Sequence, residues 1–195
     1  MRRELLNCGS VLDLGCGFNS PVKRCGVPFS VGVDLFDSYL RESSDKRHHS
    51  QYVKADIRKV EFQPKAFDAV IILEVLEHLT KDDGQKLLEK AETWACKKII
   101  ISTPNGYLSQ NGYHSNPLQK HISGWTTKEL EELDFKVYGM KGWKKLRGYK
   151  GEIVNKPAFL WERFSDITQK ITCRYPGKAF QLFAVKNVMK KNKDS

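Results

Sequence analysis

Residues 11–19, which read VLDLGCGFN, carry the strongest structural signal in the chain. An apolar run ends in an Asp-Leu pair and then passes through Gly15, Cys16 and Gly17. Glycines here let the chain turn sharply after a strand and leave the backbone open to a ligand. The stretch departs from the dinucleotide fingerprint GxGxxG, because Ser20 stands in place of the third glycine. Taken alone, it predicts a strand and a tight turn, which a purely structural turn would also explain.

Short apolar runs alternate with amphipathic stretches along the chain, a pattern that predicts an α/β fold with helices covering a sheet. Several of the runs are unbroken Val, Ile and Leu, as expected for strands buried on both faces of a parallel sheet. Helical spacing or a capping signature predicts helices at residues 82–95, from Thr126 or Thr127 onwards, and at 157–171. Strands are predicted at residues 10–14, 29–34, 52–55, 67–73, 98–102, 135–140 and 179–185.

The composition fits one ordinary domain, residues 1–195, with one core. The chain has 195 residues, of which 40% are hydrophobic and 29% charged, which excludes disordered and collagen-like classes. No apolar run approaches the roughly 20 residues that span a bilayer, and no apolar stretch follows the basic N-terminus. We therefore expect a cytoplasmic protein. Its five cysteines form no CxxC pair, which favours reduced, structural thiols.

The basic charge is concentrated in the last third of the chain. Residues 1–135 contain 18 Lys and Arg against 19 Asp and Glu, whereas residues 136–195 contain 15 against 4, a net charge of +11. Such a segment favours anionic partners, namely nucleic acid, phosphorylated metabolites or anionic lipid headgroups. Residues 141–178 also interleave aromatic side chains with the basic ones, and we expect them to form a cap over the site. Residues 188–195 are predicted to be a flexible basic tail.

Acidic residues recur where the predicted strands end. Asp34 closes the GVD segment of the second strand, and Asp56 follows the third. After the fourth strand come Glu74, Glu77 and His78. The carboxyl ends of parallel strands meet at one edge of a sheet, where α/β proteins bind ligands. For any one of these residues, a turn or helix-capping role is an equally simple explanation.

The segments VLDLGCG, GVD, AD, FDAVIILEVLEHL and STPNGY, in this order, resemble the class I S-adenosylmethionine-dependent methyltransferases. They look most like the branch that includes the ubiquinone-pathway O-methyltransferases and the type 11 domains. The resemblance covers about residues 8–140. It implies a Rossmann-like, doubly wound sheet of seven strands, mostly parallel with an antiparallel last strand, plus the C-terminal cap insert. It also implies S-adenosylmethionine as cofactor and S-adenosylhomocysteine as product.

The same resemblance implies which residues bind the cofactor. Asp34 would hold the ribose hydroxyls, Asp56 would accept from the adenine amine, and Glu74 would close the pocket near the sulfonium. The full implied set is Asp13, Gly15, Cys16, Gly17, Asp34, Leu35, Asp56, Ile57, Glu74 and Val75.

Two roles are open for His78. It is a candidate general base, because histidine titrates near neutrality and this one begins the loop after the fourth strand; a helix-capping or packing role is equally consistent. Alternatively, Glu74, Glu77, His78 and His121 resemble the metal-binding set of the 3′-terminal 2′-O-methyltransferases of small RNAs. That likeness implies a Mg²⁺ or Mn²⁺ ion. The ordinary branch uses similar residues for the cofactor pocket alone, with no metal.

The loops after the fifth strand are predicted to line the acceptor pocket. The candidate acceptor residues are Tyr107, Tyr113, His114, His121 and Trp143. We expect methyl transfer to the oxygen of a small molecule, and the basic segment suits an anionic one. One alternative is an RNA methyltransferase that contacts phosphates with that segment. Another is a partner subunit that binds the cofactor without catalysing transfer.

Overall fold

The computed structural model describes residues 1–111, 116–148 and 151–188. Its strands follow the order β3-β2-β1-β4-β5-β7-β6 in one seven-stranded sheet. β1 is parallel to both β2 and β4, whereas β6 and β7 are antiparallel. This doubly wound order confirms the predicted fold class. Along the chain the elements are β1 (Ser10–Leu14), β2 (Phe29–Asp34), α1 (Asp37–Asp45), β3 (Gln51–Lys54), β4 (Phe67–Leu73), α2 (Lys81–Trp94), β5 (Ala95–Pro104), α3 (Thr127–Glu132), β6 (Lys136–Trp143), α4 (Ala158–Thr172) and β7 (Ala179–Asn187).

The predicted bounds match β1, β2 and β4, are shifted by one residue for β3, end two residues early for β7, and differ further for β5 and β6. β5 begins three residues earlier than predicted, at Ala95, because α2 passes into it without a loop. The first residues of the strand include the half-buried Lys97 and Lys98, which gave no apolar signal. β6 continues to Trp143 through an irregularity in its pairing with β7. Helix α1 was not predicted. Its sequence is mostly polar and it buries only Tyr39, Leu40 and Ser43, a stripe too narrow to signal a helix.

The described chain forms two compact units. The first contains Met1–Leu73, Asp82–Ile100 and the described residues from Lys186 onwards. Its core is the run of apolar side chains on β1 and β4, of which Val11, Leu12, Ile71 and Ile72 are fully buried. Burial on both faces explains why these strands lack the polar alternation of a half-exposed sheet.

The second unit contains Glu74–Lys81 and Ile101–Val185. Helix α4 lies close against β6, and two glycines of β6 make this approach feasible. A Cβ atom on Gly139 would lie 2.1 Å from the carbonyl oxygen of Thr172, and one on Gly142 would lie 2.4 Å from the Ser165 hydroxyl. No larger residue fits at either position without moving the helix away.

Removal of the Thr126 hydroxyl is expected to destabilise the fold. Thr126 accepts a hydrogen bond from the backbone of Glu129, whose carboxylate reaches back to the Thr126 amide at 2.8 Å, forming a capping box. Thr126→Ala should lower the free energy of unfolding by about 1 kcal/mol. Urea denaturation measures this. Thr127→Ala is the matched control, because its buried hydroxyl has no hydrogen-bond partner in the described residues; an equal loss in both variants would contradict the cap's role.

Candidate active site

The glycine turn after β1 has the backbone conformation that its sequence predicted. Gly15 and Gly17 have φ of 72° and 56°, in the left-handed region that glycine enters at little cost. The amides of Gly15 and Cys16 donate to the carbonyl of Val33 at 2.8 and 3.0 Å. A Cβ atom on Gly17 would meet nothing within 4 Å. The turn is therefore fixed to β2 and leaves open space beside its backbone, as a bound cofactor requires.

Asp34, at the end of β2, stabilises this turn. Its carboxylate accepts hydrogen bonds from the amide of Gly17 at 2.9 Å and from that of Phe36 at 2.8 Å. Burial raises the pKa of the Asp34 carboxyl, and the backbone donors act in the opposite direction. Carboxylate oxygens have further lone pairs, which suit the ribose hydroxyls that the resemblance assigns to this residue. Leu35 beside it is 41% exposed.

Asp13 lies inside the first unit behind the turn. Its side chain is only 2% exposed, accepts a hydrogen bond from the Ser20 hydroxyl at 2.6 Å, and lies 3.3 Å from Nε2 of His49. The Ser20 hydroxyl also accepts from the amide of Val22. Ser20, which replaces the third glycine of the fingerprint, thus ties the end of the turn to Asp13. Cys16 lies between Asp13 and Ser20 in the sequence, and burial is the chief cause that raises the pKa of its thiol.

Asp56 is held by a neighbouring arginine. The Arg58 guanidinium donates to both of its carboxylate oxygens, from Nε at 2.9 Å and from Nη2 at 2.6 Å. These hydrogen bonds lower the pKa of the Asp56 carboxyl. An adenine amine at this position would therefore share the carboxylate with Arg58. Ile57 between them is half-buried.

The structure brings together three of the four residues considered as metal ligands. One ligand atom each of Glu77, His78 and His121 lies within 4.8 Å of the others. The two imidazole rings meet edge to face with centroids 4.8 Å apart. His121 is 43 positions from His78 in the chain. A carboxylate and two imidazoles that converge in this way form a feasible cation site.

Both imidazoles are oriented by backbone carbonyls. Nδ1 of His78 lies 3.1 Å from the Lys120 carbonyl oxygen, and Nδ1 of His121 lies 2.7 Å from that of Leu108. A carbonyl only accepts, so each Nδ1 carries the hydrogen and each Nε2 keeps its lone pair. Burial lowers the pKa of His78 to about 4, and His121 adds to the effect. His78 is therefore neutral at physiological pH, the form in which an imidazole binds a metal.

The two glutamates of the segment are held differently. Glu77 is 1% exposed and accepts from the Thr103 hydroxyl at 3.0 Å. Burial, with the nearby Glu74 charge, raises the pKa of Glu77 well above its usual range; a bound cation would offset both effects. Glu74 has a left-handed φ of 55°. Its carboxylate accepts hydrogen bonds from the Ser102 hydroxyl and from the side-chain amide of Gln181. Val75 beside it is buried.

Sequence reasoning missed the residues that position these carboxylates. Thr103 and Ser102 end an apolar strand and give no signal of their own. Gln181 could have been found, because it is the lone polar residue in the apolar segment AFQLFAV and is almost fully buried. A buried polar side chain in a strand needs a partner.

A cavity of about 360 Å³ opens over the cluster. Its polar lining includes the cluster itself and Lys141; the lining residues are Glu74, Glu77, His78, Pro104, Leu108, Gln110, Gln119, His121, Lys141 and Phe180. Of the predicted acceptor residues, only His121 lines the described cavity. Tyr107 is 64% exposed, and Trp143 ends β6 with its amide bonded to Thr168. Tyr113 and His114 lie outside the described residues.

Comparison with known proteins agrees with this picture. Residues 12–98 match the family model described as a methyltransferase domain. The fold resembles an S-adenosylmethionine-dependent methyltransferase from Archaeoglobus fulgidus, at 18% identity over 95% of this chain and 92% of that one, with a TM-score of 0.61. It also resembles a putative S-adenosylmethionine-dependent methyltransferase from Listeria monocytogenes, at 15% identity over 97% of this chain and 96% of that one, with a TM-score of 0.61. The methyltransferase domain of bacterial CtHen1-C is similar at 17% identity over 94% of this chain and 92% of that one, with a TM-score of 0.56. No curated protein matches the chain.

The match over residues 12–98, the sheet and the glycine turn together support an S-adenosylmethionine-dependent methyltransferase. S-adenosylmethionine is its cofactor, and the turn between β1 and Asp34 offers the open space beside Gly17 and the carboxylate that suit this molecule. Among the helices described, none has the length and apolar character needed to cross a membrane.

Proposed function

We propose that this enzyme methylates a hydroxyl oxygen of a small molecule, as the ubiquinone-pathway O-methyltransferase branch does, but that it differs from that branch in using a divalent metal ion. The observation that carries the proposal is the convergence of Glu77, His78 and His121 beneath a cavity. The chain would act as one methyltransferase domain, in which the glycine turn and Asp34 bind the cofactor and the cluster binds the acceptor.

The donor set suits Mn²⁺ or Mg²⁺. Carboxylates favour these hard cations, and imidazole adds affinity for the later members of the series, so Mn²⁺ fits the mixture well. When bound, such an ion lowers the pKa of a coordinated hydroxyl and so helps form the alkoxide that attacks the methyl group. Glu77 would supply negative charge to such an ion, and the carbonyls of Lys120 and Leu108, by accepting from Nδ1 of each ring, would leave both Nε2 atoms available as ligands.

His78 acts as a ligand in this proposal and not as the base. A general base works best with a pKa near the operating pH, and burial lowers the pKa of His78 to about 4. A neutral ring with a fixed Nδ1 hydrogen bond is instead well prepared to bind a cation through Nε2. Nδ1 of His121 likewise donates to the Leu108 carbonyl, which leaves its Nε2 atom available to a cation.

The cavity favours a small acceptor. Its volume of about 360 Å³ lies at the lower end of the range for small-molecule sites. Lys141 adds one positive charge to the lining, and Gln110 and Gln119 add hydrogen-bonding groups. These features suit a polyhydroxylated molecule that carries a carboxylate or phosphate.

Chelation is expected to stop methyl transfer. The assay measures S-adenosylhomocysteine formed from S-adenosylmethionine in the presence of a panel of catechols, sugar phosphates and ribonucleosides. Protein stripped with EDTA should form it at least about 100-fold more slowly than the same protein supplied with metal. Added Mn²⁺ or Mg²⁺ should restore the rate, whereas Ca²⁺ serves as the comparison ion. Activity that survives chelation would contradict the metal. The panel includes a short RNA with a free 3′ end; transfer to that RNA alone would contradict the small acceptor.

A further inference from the structure

Helix α4 packs against the sheet with its polar side. Gln169 accepts a hydrogen bond from the amide of Gly142 and donates one to the carbonyl of Gly139, each at 2.8 Å. Thr168 accepts from the amide of Trp143 at 3.1 Å. β6 is at the edge of the sheet, so its outward backbone groups need partners, and polar side chains of α4 supply them. The helix is therefore oriented opposite to an ordinary surface helix, whose apolar side faces the core.

The apolar side of α4 consequently faces solvent. Its residues recur at helical spacing, and we call Leu160, Phe164, Ile167 and Ile171 the α4 stripe. They are 53%, 43%, 62% and 57% exposed. Phe159, at the start of the same helix, is 62% exposed. Scattered exposed apolar residues are normal, but a contiguous row of large ones marks a binding surface.

Basic side chains accompany the stripe. Arg163 and Lys170 are exposed on the outer half of the helix, and Lys156 and Arg174 lie near its two ends. In the described residues, none of these four lies within ion-pairing distance of a carboxylate. The helix itself carries only two acidic residues, and residues 136–195 together have a net charge of +11. The surface around the stripe is thus apolar at its centre and positive at its margin.

We propose that α4 docks this protein on an anionic lipid surface. An apolar stripe bordered by Lys and Arg is the pattern of helices that lie in the membrane interface, with apolar side chains among the lipid chains and cations beside the phosphates. A second copy fits poorly, because contact through this face would bring two strongly positive segments together. RNA fits poorly too, because it offers no apolar surface to receive leucine and isoleucine. The inference does not depend on the metal or the acceptor.

Vesicle co-sedimentation tests the proposal. The full chain should bind vesicles of phosphatidylcholine containing phosphatidylglycerol at least about tenfold more strongly than pure phosphatidylcholine, and salt should weaken binding. The quadruple variant Leu160→Gln, Phe164→Gln, Ile167→Gln and Ile171→Gln should lose binding yet keep its circular dichroism and S-adenosylhomocysteine affinity, because all four side chains are exposed. Leu6→Gln, at an even more exposed leucine of the first unit, is the control and should bind like the unaltered chain.

Three outcomes would overturn the proposal. The unaltered chain would fail to bind either kind of vesicle, or the quadruple variant would bind as well as the unaltered chain. In the third, the unaltered chain would self-associate without binding vesicles and the quadruple variant would be monomeric in sedimentation velocity, which would assign the stripe to a second copy.

Discussion

The variant Glu77→Gln is expected to lose methyl transfer by at least about 100-fold, because even outer-shell partners of metal ligands are typically worth about 10- to 100-fold. Glu77 supplies the only carboxylate of the three-residue cluster, and it is almost fully buried. Glutamine keeps the shape and can still accept from Thr103, but it removes the negative charge that balances a cation. S-adenosylhomocysteine affinity should change by less than about threefold, since the cofactor turn lies in other residues.

A matched histidine pair completes this test. His121→Ala should lower the rate as Glu77→Gln does, while His48→Ala, at a half-buried histidine of the first unit, should leave it unchanged. The readout is S-adenosylhomocysteine release with Mn²⁺ at saturating and at limiting concentration. Partial rescue of His121→Ala by high Mn²⁺ would support a ligand role. A full rate in Glu77→Gln would refute the proposed site.

The variant Asp34→Ala is expected to weaken S-adenosylhomocysteine binding by about 1–3 kcal/mol. The carboxylate accepts from the amides of Gly17 and Phe36, so its loss leaves two donors unpaired and loosens the turn. It also removes the acceptor proposed for the ribose hydroxyls. Both effects reduce affinity for the cofactor in the same direction. Calorimetric titration of the purified variant measures the change.

Asp37→Ala is the control for that experiment. Asp37 lies three residues further on, at the start of α1, and its exposed carboxylate pairs with Lys54 and Arg41. Exposed ion pairs of this kind contribute little, so its removal should leave cofactor affinity unchanged. Equal affinity in Asp34→Ala and the unaltered chain would remove Asp34 from the cofactor site.

The elements that the sequence predicted best are those determined by their own residues, namely strands buried on both faces and a local capping box. β1, β2 and β4 are predominantly apolar and lack a regular polar alternation because they are buried on both faces, and their bounds match the prediction. The Thr126–Glu129 capping box depends on four consecutive residues and forms as predicted. Helix α4 was also predicted, but periodicity shows only that a stripe exists. It cannot show that the edge of β6 draws the polar side inward.

The site was predictable only where a motif carried it. The glycine turn and Asp34 follow from spacing, whereas the pairing of His78 with His121 came from a resemblance, because no local pattern links residues so far apart. The carbonyls of Lys120 and Leu108 could not be predicted at all, since backbone groups leave no mark on the sequence. They nevertheless determine which nitrogen of each ring is free.

Titration of Mn²⁺ into EDTA-stripped protein tests the proposed metal site without needing an acceptor. We expect one Mn²⁺ per chain, seen by calorimetry or by loss of the free-ion paramagnetic resonance signal. It also predicts that Glu77→Gln and His121→Ala weaken this binding at least about tenfold while His48→Ala does not. If the unaltered chain binds no Mn²⁺, or if Glu77→Gln binds it equally well, the metal-assisted mechanism is wrong.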